Sequence, residues 1–159
     1  MKILAASTAA GVNLVPHTTS VRALRRLPRP EVLPQRARNR PVETTTYRVH
    51  ARLVESKFED DSDFHLVIAD PRTGGTMIVE FPASYCTLTA SPVLRRRMQA
   101  ARVAFIRACG VPSSSYFSPL RGTATVTGVG FFDFNHGQTG RAPNVIELHP
   151  VLTFTGTCR

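Results

Sequence analysis

The chain has 159 residues, 42% of them apolar, and a net charge of +9. That length and composition suit one domain with a real core, and no stretch approaches the roughly 20 apolar residues a membrane helix needs. The charge is uneven: residues 1–42 carry Lys2 and seven Arg against Glu31, whereas residues 43–159 carry 12 basic and 10 acidic side chains.

The first 15 residues are interrupted by Ser7, Thr8, Gly11 and Asn13 and hold no apolar block. They read as no signal peptide, and the expected compartment is the cytoplasm. Residues 1–42 form a basic arm with Pro16, Pro28, Pro30, Pro34 and Pro41. A short helix fits residues 19–27, capped by Thr19 or Ser20, with Val21, Leu24 and Leu27 at helical spacing. Residues 28–41 read as extended. Such an arm is either a solvated tail or a non-specific contact for nucleic acid or another acidic surface.

From Thr44 the pattern changes to period two. Tyr47, Val49, Ala51 and Leu53 alternate with Arg48, His50 and Arg52, the mark of a half-buried strand. The run Glu59, Asp60, Asp61, Ser62, Asp63 is a turn, and residues 64–70 form a second strand with Phe64, Leu66 and Ile68 on one face. A reversal with Gly74 and Gly75 leads to a third strand over residues 76–81. Ser91 and Pro92 start a helix, and Gly110 and Pro112 stop it. Leu94, Met98, Ala101, Phe105 and Ala108 form its apolar stripe. Residues 120–132 are a fourth strand, kinked by Gly122, Gly128 and Gly130. Residues 133–143 are a loop, and residues 144–154 a fifth strand.

The order β-β-β-α-β-β, with one helix between strands three and four, is that of a small five-stranded OB-like barrel spanning residues 43–155. Another small antiparallel barrel or open sheet is the competing arrangement. The cysteines Cys86, Cys109 and Cys158 match no zinc or CxxC spacing. Cys86 and Cys109 could pair in an exported protein, and otherwise stay thiols.

Two segments carry a resemblance. Residues 42–49 running into 59–67, and residues 128–151 from Gly128 to Val151, resemble a family of small bacterial proteins ending in DFxHGQTGxAPNxIELHPVL. Residues 12–30 are similar too, and Arg141 departs from the small residue the pattern favours. The resemblance implies no activity.

The densest polar group is Asp133, His136, Gln138, Arg141, Asn144, Glu147 and His149. In an OB-like barrel the loop between strands four and five and the first hairpin loop hold ligands. Glu147 and His149 leave one face of strand five. A binding module is therefore expected, with single-stranded nucleic acid or another anionic ligand as its first candidate partner. Its site would use the 133–149 segment, supported by His65 and Arg48. Phe131, Phe132 and Phe134 are the candidate stackers. The alternative is a metal-dependent hydrolase, phosphodiesterase-like, with a divalent metal on His136, Glu147 and His149, joined by Asp133. A third reading is a structural or interaction domain whose polar loop holds itself together. Connectivity allows His65 and Asp63 to converge with residues 133–149 at one barrel mouth. No GxSxG, P-loop or dinucleotide fingerprint is present.

Overall fold

A computed structural model describes residues 9, 11–33 and 37–158. The signal-peptide reading of residues 1–8 and Pro34 of the extended arm lie outside them. The described elements are β1 (Asn13–Thr19), α1 (Val21–Leu24), β2 (Thr45–Phe58), β3 (Phe64–Ala69), β4 (Thr76–Phe81), α2 (Pro92–Cys109), β5 (Ser118–Pro119), β6 (Gly122–Phe132) and β7 (Ile146–Cys158).

β2, β3, β4, β7 and β6 close into a five-stranded barrel, because β2 pairs with β3 on one side and β6 on the other. All its pairings are antiparallel except β4–β7, which is parallel. The period-two pattern is the cause: Val49, Ala51 and Leu53 point inward with Leu66, Ile68, Val79 and Val126. Phe64, Phe81, Phe105 and Phe154 pack at ring separations of 5.1 to 6.0 Å. Burying each such side chain stabilises the fold by about 1.5–3 kcal/mol.

α2 closes this core. The Ser91 hydroxyl accepts from Leu94 N–H, Pro92 occupies the first turn, and Gly110 ends the helix at φ 82°. Leu94, Met98, Ala101 and Phe105 are its buried stripe, as the spacing predicts. A disulfide ties the end of α2 to the end of β7 through Cys109 and Cys158. Neither alternative left open for Cys109, a bond to Cys86 or a free thiol, is the one found: antiparallel β6–β7 carries Cys158 back beside the helix end, and Cys86 is a free thiol.

Two outer strands extend the barrel. β5 pairs with β2. β1 lies parallel to β2, and α1 then buries Val21 and Leu24 in the barrel core. Part of the expected arm is thus packed structure. Its strand escapes the periodicity argument because Asn13–Thr19 has no apolar alternation: its exposure is that of an edge strand. No helix among the described residues is long and apolar enough to cross a membrane.

Candidate metal centre

The outward face of β3, β4 and β7 carries the charged groups. His65 stands opposite Glu80 in the β3–β4 register, and Ile78 opposite Glu147 in β4–β7. Inward-pointing neighbours on every strand bury hydrophobic side chains, so alternation forces these polar ones onto a common outer face. Two loops then cover them.

The first is the β2–β3 turn. Glu59 N–H donates to Asp63 C=O and Ser62 N–H to Glu59 C=O, at 3.0 and 2.8 Å. Arg102 of α2 lies over the Phe64 ring and donates to Ser62 C=O and Phe81 C=O. Asp63 is thereby turned inward, where one oxygen accepts from Ala83 N–H at 2.7 Å.

The second is the 133–145 loop. Gln138 donates to Asp133 Oδ2 and Phe134 C=O and accepts from His136 N–H. Gly140, at φ 75°, lies against Val67 of β3, where any Cβ would collide with that side chain. The loop therefore seats on the sheet, and Thr139 C=O accepts from His65 Nε2 at 3.0 Å. That bond directs the His65 Nδ1 edge toward Glu80 and Glu59 carboxylate oxygens, 3.6 and 3.7 Å away.

His149 is the centre of the cluster and only 1% exposed. Its Nδ1 lies 2.6 Å from Glu80 Oε2 and 3.3 Å from Glu147 Oε1, and its Nε2 lies 3.7 Å from Asp63 Oδ2. Neither ring nitrogen has a hydrogen bond of good direction: the carboxylates are near but off the N–H axes or too distant. Burial works against a charged imidazole here, yet Glu80 and then Glu147 overcome it and raise the His149 pKa to about 10. Burial also pushes the Asp63 carboxyl up, against the pull of His149 and the Ala83 amide.

Asp63, Glu80 and His149 have donor atoms within 4.8 Å of one another and are all buried. Two carboxylates and an imidazole suit zinc or a similar divalent ion, and Glu147 stands beside them. Glu80 also lines an open groove of about 490 Å³ with Glu59, Asp60, Asp61, His65 and Phe117, closed on the far side by residues 136–139.

The structure brings His65, Asp63, Glu147 and His149 together, on the outer face of β3, β4 and β7 rather than at a barrel mouth. Glu147 and His149 are buried rather than on a solvated strand face; Phe131 of β6 packs against the His149 ring and stands opposite Glu147 in the β6–β7 register. His136 is exposed and pairs with Asp133 at 3.5 Å, on the groove rim and outside the Asp63–Glu80–His149 group. Asn144 faces the other way and donates to Leu24 C=O and Leu27 C=O, both at 2.9 Å. Arg141 is half-buried and does not line the groove, and Arg48 sits on another sector of the barrel. Of the candidate stackers only Phe134 is exposed: Phe132 is in the core and Phe131 packs against His149. Sequence reasoning did not single out Glu80, which stands nearest to His149. Its signal was a lone acid among the apolar residues of Thr76–Phe81.

No family model, curated protein or solved structure matches this chain.

Proposed function

We propose that the protein is a cation-binding β-barrel module, with a divalent metal held by Asp63, Glu80 and His149. The observation that carries this is the convergence of three carboxylates on one buried imidazole whose nitrogens have no well-directed hydrogen bond. The circular strand order, with α2 between the third and fourth barrel strands, supports the OB-like label. In such barrels the outer face of strands two and three and the flanking loops take ligands, and the groove lies there. Its acidic lining favours a cation over a polyanion.

The second reading is a metal-dependent hydrolase acting on a phosphodiester. It is favoured by Glu80, which belongs both to the ligand group and to the groove wall. A bound metal lowers the pKa of its water. His65, oriented by Thr139, is the groove's candidate for accepting a proton.

The test is metal analysis of the purified protein, with melting curves with and without chelator. One metal per chain and a chelator-sensitive melt are expected. Glu80→Gln and Asp63→Asn should remove both, while His136→Ala keeps them. A metal-free protein that binds neither zinc nor manganese on titration overturns the reading. Turnover of an activated phosphodiester by the metal-loaded protein, lost in His65→Gln with metal retained, separates the hydrolase from the binding module.

A further inference from the structure

A different sector of the barrel, formed by β2, β6 and the second half of β7, is ruled in three rows. Cross-strand register aligns Arg48 with Thr127 and Thr153. It aligns His50 with Thr125 and Thr155, and Arg52 with Thr123 and Thr157. Directly opposed residues of antiparallel strands share a face. Two contacts agree: Arg48 Nε donates to Thr127 Oγ1 at 3.5 Å, and His50 Nδ1 lies 3.4 Å from Thr125 Oγ1. Arg48, His50 and Arg52 are exposed, as are Thr153, Thr155 and Thr157.

No carboxylate occupies any of the nine positions. The acids that line a surface depression, Glu59, Asp60, Asp61 and Glu80, are at the groove instead. Exposed Arg121 extends the cationic sector at the Gly122 end, where it lines a shallow depression with Thr123 and Thr157. Arginine and threonine side chains are standard partners of phosphate oxygens. The only ring among the nine residues is the His50 imidazole, which leaves the face without the succession of aromatic platforms on which single-strand binding relies.

We propose that this face binds the phosphate backbone of double-stranded nucleic acid without reading its bases. Arg48 and Arg52 carry the phosphate contacts, and the exposed Thr123, Thr153, Thr155 and Thr157 supply hydroxyl donors between them, whereas Thr127 is buried beneath Arg48. The proposal is independent of the metal centre, which lies on the β3–β4 side.

The test is fluorescence anisotropy of the full chain with a labelled mixed-sequence duplex, between about 50 and 200 mM salt. Binding that weakens with salt and is indifferent to sequence is expected. Arg48→Glu with Arg52→Glu should lower affinity at least about tenfold and flatten the logarithmic salt slope by about 2, since each lost phosphate contact removes about 0.9. Arg48→Gln with Arg52→Gln should act in the same direction, with an unchanged melting curve. Arg96→Glu with Arg107→Glu on α2 makes the same change in net charge and should have a far smaller effect. Equal losses from both charge reversals overturn the proposal, because net charge alone then governs binding. Tighter binding of a single strand or of heparin than of the duplex also overturns it, as does no binding at the lowest salt.

Discussion

Glu80 Oε2 lies 2.6 Å from His149 Nδ1, across the barrel's parallel β4–β7 seam. The contact exists because β4 and β7 each alternate inward hydrophobic and outward polar side chains, and the seam places the two outward rows side by side. Everything proposed for the groove depends on this pair.

Removing the imidazole takes the nearest cation away from the Glu80, Glu147 and Asp63 carboxylates. His149→Leu should destabilise the metal-free protein by about 3–5 kcal/mol at neutral pH, the usual effect of removing one member of a buried ion pair. Urea denaturation reads this directly. The deficit should shrink in acid, where the carboxylates protonate. A neutral substitution would show that His149 and Glu80 are not coupled.

The pH dependence has a definite sign. His149 is raised to about 10 in the folded protein, against about 6.5 when unfolded. Its charge therefore stabilises the metal-free fold fully below about pH 6.5, and that contribution is lost as pH rises through about 10. Melting temperature should fall across that window in the wild type and fall less in His149→Leu. Metal competes for the same imidazole, so metal affinity should strengthen by up to about tenfold per pH unit in the window. Calorimetric titration at several pH values measures it.

The Cys109–Cys158 disulfide closes a sequence separation of 49 residues. Chain entropy gives such a loop about 4 kcal/mol of stabilisation. Cys109→Ser, or reduction of the wild type, should lower the urea midpoint accordingly. Cys86→Ser should leave it unchanged. Equal midpoints with and without reductant would show that the bond contributes nothing.

Asn144 fastens the N-terminal segment rather than the groove. Its amide donates to Leu24 and Leu27 carbonyls, and Leu24 is buried in the core. Asn144→Ala should cost about 1–3 kcal/mol, because Leu27 C=O loses the amide donor and Leu24 C=O keeps only Leu27 N–H. Faster hydrogen exchange over residues 13–27 should accompany it, with metal content unchanged. Loss of metal would place Asn144 at the centre instead.

Much of the barrel was legible in the sequence. Tyr47 to Leu53 alternate because one face of β2 is buried, and Ser91, Pro92 and Gly110 bracket α2 because helix ends need those groups. His65, Glu147 and His149 stood out as polar residues in strands. Their separation from Phe64, Leu66 and Leu148 follows from alternation alone.

Three things needed the tertiary structure. Glu80 joins His149 only because β4 and β7, far apart in sequence, pair in parallel. Cys109 meets Cys158 rather than Cys86 because the β6–β7 register returns the chain end to α2. The rows of Arg48, His50 and Arg52 with their threonines exist only through the β2–β6–β7 registers. Local sequence fixes which way a side chain points from its own strand. Which residues then become neighbours is decided by strand pairing, through the burial of the whole core.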